Sequence, residues 1–297
     1  MKILLTGANG FLGKYIKNEL QQNYTLKTLS KSNADYNINL NEVDNINFNE
    51  NFELVIHAAG KAHTTPSNQK DSDYIFEVNV KGTINLLEGL RVSGLPKKFF
   101  FISSVSVYGL TEGILINENT PLSATDAYGK SKIEAENIII DWCNKYNIKY
   151  TILRLPLIIG KNPPGNLNAM KSAILHGYYF NIDRGMAKKS MVLASDIAKY
   201  IISSSEVGGI YNLTDGTHPT FAELSTMISI ELETNHPLNI PKFIAIILAK
   251  VGDIIGNKFP INSIKFNKIT STLTFDDTKA RKAFCWNPNS VLENFII

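Results

Sequence analysis

The chain is predicted to fold as an α/β protein around a doubly wound parallel sheet. Three features say so: short apolar runs alternate with longer stretches of helical period, the runs are continuous rather than alternating, and a glycine turn joins the first run to the first helix. In order, the pattern is a strand at 2–5 and a helix at 14–21, a strand at 25–29, a strand at 54–58 and a helix at 74–91, a strand at 98–103, a helix at 126–146 and a strand at 150–153. Runs such as Ile3-Leu4-Leu5 and Phe99-Phe100-Phe101-Ile102 suit strands buried on both faces, so helices must cover both sides of the sheet. The Asn-rich stretch 33–51 is expected as a polar connection holding one short strand. Beyond about residue 160 the clean strand–helix repeat gives way to segments rich in Pro, Gly and Asn, such as Lys161-Asn162-Pro163-Pro164-Gly165-Asn166. We divide the chain accordingly at 1–160 and 161–297, the second part being smaller, interleaved, and partly returning to the first.

Composition narrows the class of partner. With 30 basic against 27 acidic residues, the charge is too balanced for a nucleic-acid binder, so the anion to be bound is expected to be small. Cys143 and Cys285 are far apart and in no metal-binding spacing, which predicts no metal site, no disulfide framework and a reducing cytoplasm. The opening apolar run is too short for a signal peptide and reads as a strand. The apolar stretch 243–255 is interrupted by Lys250, Gly252 and Asp253 and falls short of the ~20 residues of a membrane span. It is expected as an amphipathic helix packed on the body or forming a lid, with peripheral membrane contact as the alternative.

Directly after the first strand comes Thr6-Gly7-Ala8-Asn9-Gly10-Phe11-Leu12-Gly13, and a helical pattern follows at once. In this setting Gly7 permits a tight turn, Gly10 lets the backbone approach a pyrophosphate, and Gly13 allows close packing, while the helix N-terminus offers N–H donors to an anion. The sheet is therefore expected to be of the Rossmann type, binding a dinucleotide. At the end of the second strand, where an acid selective for NAD would bond the ribose hydroxyls, stand Ser30, Lys31 and Ser32, a hydroxyl and a cation that suit a 2'-phosphate. NADP(H) is accordingly favoured over NAD(H). His57, at an apolar strand end before Ala58-Ala59-Gly60, is read as a hydrogen-bonded core residue with no chemical role.

Tyr128 and Lys132 of Tyr128-Gly129-Lys130-Ser131-Lys132 lie four residues apart and share a helical face. A nearby ammonium and a positive nicotinamide ring would favour the phenolate and fit Tyr128 to pass a proton while hydride is transferred. Upstream, Ser103-Ser104-Val105-Ser106 sets hydroxyls at the C-terminal end of a buried strand, where open α/β sheets bind ligands; Ser104 is expected to orient the substrate oxygen.

On these motifs the chain resembles the extended short-chain dehydrogenase/reductases, also called the NAD-dependent epimerase/dehydratase family, over nearly its whole length. TGANGFLG is similar to that family's TGxxGxxG, Asn79-Val80-Lys81-Gly82-Thr83 to its NVxGT helix, and SSVSVYG and YGKSK to its Ser and Tyr/Lys motifs. The resemblance implies that Gly7, Gly10 and Gly13 bind the pyrophosphate and that Tyr128 and Lys132 hold the nicotinamide ribose. Asn9, Phe11, Leu12, Ala58, Ala59, Gly60, Asn79, Ser103, Leu155 and Pro156 join Ser30 and Lys31 as implied cofactor neighbours. For the substrate it implies Ser104, Ser106 and Tyr128 near the sugar, with Asn166 and Lys189 at a diphosphate. Where many members carry Asn in the LRxxNxxG segment, this chain has Leu157, which argues against a simple galactose epimerase. Leu153-Arg154-Leu155-Pro156-Leu157, Lys188-Lys189-Ser190 and Trp286-Asn287-Pro288 are instead similar to a bacterial subgroup acting on UDP-linked N-acetylated hexoses. The implied activity is NAD(P)-dependent reduction of a UDP-4-keto-6-deoxy-N-acetylhexosamine in surface polysaccharide synthesis. The alternatives are a UDP-N-acetylhexosamine 4-epimerase and, more remotely, a non-catalytic NAD(P)-sensing regulator. Analogy also implies a homodimer through the helices at 74–91 and 126–146.

Overall fold

In a parallel sheet covered on both faces, adjacent residues of one strand must feed two different cores. The computed structural model, which describes residues 1–62, 68–256, 259 and 261–295, has this arrangement. Strand β1 (Lys2–Thr6) sends Ile3 and Leu5 into one core and Leu4 into the other; Phe100 likewise parts from Phe99 and Phe101. Next come helix α1 (Phe11–Leu20), strands β2 (Thr25–Ser30), β3 (Tyr36–Asn37) and β4 (Leu54–His57), helices α2 (Gln69–Phe76) and α3 (Gly82–Ser93), strands β5 (Lys98–Ser104) and β6 (Gly113–Ile116), helix α4 (Ala127–Lys145) and strand β7 (Lys149–Leu155). With β11 (below), the central sheet has seven parallel strands in the order β11-β7-β5-β4-β1-β2-β3. The order reverses between β1 and β4, which opens the crevice where such sheets take a ligand. The short β3 is the strand expected within the Asn-rich stretch.

Two local features depart from the expected pattern. The helix read at 74–91 starts earlier, at Gln69, because Asn68 caps it by accepting from the Asp71 amide. It also passes through a π turn, Glu77–Lys81, before continuing as α3. Such single π turns insert one extra residue into a helix and commonly sit at functional sites. Here the turn carries Asn79.

The remaining elements are strand β8 (Leu157–Ile159), helix α5 (Asn166–Leu175), strands β9 (Phe180–Ile182) and β10 (Met191–Leu193), helix α6 (Ala194–Val207), strand β11 (Gly209–Asn212), helix α7 (Phe221–Glu231), strand β12 (Leu238–Ile240), helices α8 (Lys242–Ile255) and α9 (Ser263–Thr270), strand β13 (Leu273–Phe275) and helix α10 (Thr278–Phe284). Three two-stranded parallel pairs, β8 with β10, β9 with β12 and β6 with β13, build the lobe beside the sheet. Ile197, Ile201, Tyr211, Phe284 and Trp286 return to the core shared with β1 and α1. The stretch 243–255 forms α8, but with its faces exchanged relative to an ordinary amphipathic helix: Ala245, Ala249 and Gly252 face the body and the large apolar side chains face outward. Among the described residues no helix is long and apolar enough to cross a membrane.

His57, at the end of β4, is 1% exposed and bonded on both nitrogens. The Ala59 amide donates to Thr6 Oγ1 (3.2 Å), whose hydroxyl can donate to His57 Nδ1 (2.7 Å); Nε2–H then donates to Thr83 Oγ1 (3.0 Å), and Thr83 donates to the Asn79 carbonyl (2.6 Å). This relay requires a neutral imidazole. Burial, then the nearby Lys132 charge, lower the His57 pKa to about 3. The unfolded chain, with a His pKa near ~6.5, therefore takes up a proton that the folded one refuses, so stability falls as pH drops from about 6.5 toward 3, by up to ~1.4 kcal/mol per unit. Urea titrations across that range should show this slope, flattened in His57→Gln.

Candidate active site

Gly7 must be glycine on two grounds. Its φ is +72°, and a Cβ there would stand 2.7 Å from the Ala59 amide nitrogen. The glycine turn and the Ala58–Ala59 end of β4 thus touch across the crevice. The helix that follows begins at Gly10, which has no capping side chain, and its first turn contains no acid, so its amides and positive dipole end are turned to whatever anion enters.

Gly7, Asn9, Ser30, Lys31, Ala59 and Gly60 line one pocket at this crevice. Asn9 donates to the Ser32 carbonyl (2.6 Å) and so ties the turn to the end of β2. Ser30 Oγ is buried without a hydrogen-bond partner, an orphan that a bound ribose or phosphate would satisfy. Lys31 reaches the Tyr74 hydroxyl (3.3 Å), while the acid nearest in sequence, Asp35, is held by the Thr28 amide (2.9 Å) and does not line the pocket. Ile38, Asn39, Leu40, Asn41 and Val78 also line it. The Asn-rich stretch, read from sequence as a polar connection holding one short strand, therefore also forms part of the pocket. An uncapped helix N-terminus, a glycine cradle and an orphan hydroxyl together fit a dinucleotide.

The hydroxyls expected to take part in the reaction gather at the C-terminal end of β5. Ser104 accepts from the Ser106 amide (3.2 Å) and donates to Ser106 Oγ (3.1 Å), capping the 3-10 turn Val105–Tyr108. Across from it, α4 opens on Asp126, whose carboxylate accepts from the Gly129 amide (3.0 Å). A Cβ on Gly129 would lie 2.8 Å from the Ser106 carbonyl oxygen, so only glycine after Tyr128 lets the helix approach this closely. That approach sets Tyr128 beside Ser104. Burial raises the Tyr128 pKa to about 12, with the Ser104 hydroxyl opposing it. The lowering expected from Lys132 is absent in the chain alone. Lys132 instead donates to the Ile102 carbonyl (2.9 Å), lies over the Phe101 ring, and has its pKa lowered to about 8 by burial. Its ammonium lies beside Gly60 of the pocket wall, where a Cβ would be 3.4 Å from Nζ.

Asn79, from the π turn, links these parts: its side chain bonds Lys61 on both backbone groups (2.7 and 3.2 Å) and donates to Ser131 Oγ (2.9 Å). Ser103, expected near the cofactor, has its hydroxyl committed to Glu136. Glu136, in turn, holds Arg154 of β7 (2.7 Å), and Arg154 reaches the Tyr108 hydroxyl (3.2 Å), which donates to Asn212 (2.8 Å). Ser103, Tyr108 and Arg154 lie in motifs read above, but nothing in those motifs paired them with Glu136. Of the remaining expected residues, Leu155 is buried in the core that also holds Leu12, and Pro156 leads into β8, whose Leu157 packs on the lobe. Lys189 is half-buried and, among the described residues, is paired with no acid; burial and then Lys268 lower its pKa to about 8. It bridges to Leu273 on β13, whose Phe275 stacks on Tyr108, which places it on the lobe side of the hydroxyl cluster. Asn166 is exposed at the start of α5 and, among the described residues, has no hydrogen bond to that cluster.

The chain is similar to known proteins. An N-acetyl-alpha-D-glucosaminyl-diphospho-ditrans,octacis-undecaprenol 4-epimerase of Escherichia coli O157:H7 is 26% identical over 95% of this chain and 89% of its own length. A GDP-6-deoxy-D-mannose reductase of Pseudomonas aeruginosa is 25% identical over 78% of this chain and 82% of its own. The fold matches the UDP-glucose 4-epimerase of Thermotoga maritima, solved with UDP-glucose, with a TM-score of 0.76 at 20% identity over 99% of this chain and 96% of that one. The model of the NAD dependent epimerase/dehydratase family matches residues 3–213, from the first strand through the lobe-side end of the sheet, and the chain belongs to that family of nicotinamide-dependent enzymes.

Proposed function

We propose that the enzyme reduces the 4-keto group of a UDP-linked 4-keto-6-deoxy-N-acetylhexosamine with NADPH, in surface polysaccharide synthesis. The observation that carries this reading is the ribose end of the pocket, where Lys31 and the orphan hydroxyl of Ser30 stand and no carboxylate does. A 2'-phosphate suits that end, and a 2'-phosphorylated cofactor suits net reduction. The bound nicotinamide supplies the hydride. Tyr128, held protonated by burial, gives its proton to the sugar O4 as the carbonyl becomes an alcohol, and recovers it from solvent. Ser104 orients the same oxygen. Lys132 supports the developing phenolate with its positive charge. Lys189 and Asn166 serve the diphosphate, for which a half-buried cation without an acid partner is a suitable seat.

A second reading, 4-epimerisation of a diphosphate-linked N-acetylhexosamine, is favoured by the Escherichia coli relative, which aligns almost end to end. The two separate in one experiment. The purified protein is mixed with the UDP-linked 4-keto sugar and either NADPH or NADH, and loss of reduced-nicotinamide absorbance is followed. Stoichiometric consumption supports the reductase. Interconversion of the gluco and galacto N-acetylhexosamines without added reductant, on UDP or on a polyprenyl diphosphate, replaces it by the epimerase. In the reductase, Lys31→Glu should raise the KM for NADPH about tenfold or more, the loss of roughly one charge-assisted hydrogen bond, with little effect on NADH.

A further inference from the structure

Helix α8 presents its large side chains to the outside. Ala245, Ala249 and Gly252, spaced i, i+4 and i+7, form the stripe that meets the body, and they approach so closely that a Cβ on Gly252 would fall 1.8 Å from the Ile261 carbonyl oxygen. The opposite face holds Phe243, Ile247 and Ile254, which are 65%, 60% and 88% exposed, with Val251 beside them. Ile264 on α9 and Leu238 on β12, the neighbouring elements, are exposed as well. Such a run of outward apolar side chains far exceeds the scattered exposed residues of an ordinary surface.

The charges beside this face are mostly positive. Among the described residues of α8 and α9 the ionised side chains are Lys242, Lys250, Lys265 and Lys268, all exposed, against Asp253 alone. That carboxylate is turned to the Ser263 amide and hydroxyl, where it secures the start of α9. A convex apolar ridge flanked by lysines is complementary to the interface of an anionic bilayer, where the apolar side chains enter the acyl boundary and the lysine stems reach back to the phosphates. A second copy of the chain is the poorer occupant, since a two-fold contact through one convex helix would bring its lysines against their own copies.

We infer that α8 seats this enzyme on the surface of a membrane containing anionic phospholipid, apolar side chains inserted, without crossing it. The inference goes beyond the reaction proposed above and holds for either direction of it, because none of these residues belongs to the site. The test is co-sedimentation of the full chain with vesicles of phosphatidylcholine alone or mixed with phosphatidylglycerol. The expected result is pelleting with the mixed vesicles only, weakened by salt, and reduced at least tenfold in I247E/I254E, whose thermal melt should match wild type because both side chains already face solvent. K242E/K250E should reduce it too. Failure to pellet with either vesicle, or pelleting unchanged in I247E/I254E, would overturn the inference. So would a vesicle-free dimer in light scattering that I254E disperses, for then the face belongs to a second copy.

Discussion

Replacement of Tyr128 by Phe is expected to lower kcat by roughly a thousandfold while leaving cofactor affinity nearly unchanged. The phenyl ring keeps the packing of the α4 first turn but removes the hydroxyl that stands beside Ser104 and can give up a proton. Because the loss falls on a transition-state step, kcat and kcat/KM should fall together. A pH profile gives a second readout. Burial lowers the Lys132 pKa to about 8, so its charged form is present below that pH and is lost above it. The wild-type rate should therefore decline as pH rises through about 8, before the Tyr128 phenol itself, near 12, ionises. A Tyr128→Phe enzyme with kcat within tenfold of wild type would remove Tyr128 from the proton-donor role.

The parts of the site legible in the sequence are those whose residue types are dictated over a few consecutive positions. Gly7 is forced by a positive φ and a backbone neighbour, and Gly129 by the Ser106 carbonyl, so TGANGFLG and YGKSK carry local steric requirements that survive as motifs. The doubly wound sheet was legible for a related reason, since two-sided burial requires uninterrupted apolar strands. What could not be read depends on contacts between distant positions. Ser103, Glu136 and Arg154 come from β5, α4 and β7, and only the register of those elements brings them together. The lining residues Asn39 and Asn41 come from a stretch without periodicity. In α8 the pattern predicted a helix but not which face meets the body, because the inward stripe consists of small residues that hydrophobicity alone ranks below Phe and Ile.

The largest loss of stability is expected from Arg154→Met. Glu136 is 1% exposed, and its carboxylate is answered by the Arg154 guanidinium at 2.7 and 3.2 Å and by the Ser103 hydroxyl. Without Arg154 a buried carboxylate keeps one hydroxyl donor, and removing one partner of such a pair costs about 3–5 kcal/mol. Equilibrium urea unfolding should show that difference, against a smaller one in Glu136→Leu/Arg154→Leu, where no uncompensated charge remains. The double variant also separates folding from positioning. Tyr128, Lys132 and Glu136 recur at i, i+4 and i+8 on α4, and Ser103 adjoins Ser104, so the pair fastens the helix carrying the proposed proton donor to the strand end carrying Ser104. If that fastening matters, the double variant will remain folded yet lose kcat with KM little changed. If it keeps full kcat, the ion pair serves stability alone and the hydroxyl cluster is held by the Gly129 approach and the Asp126 cap.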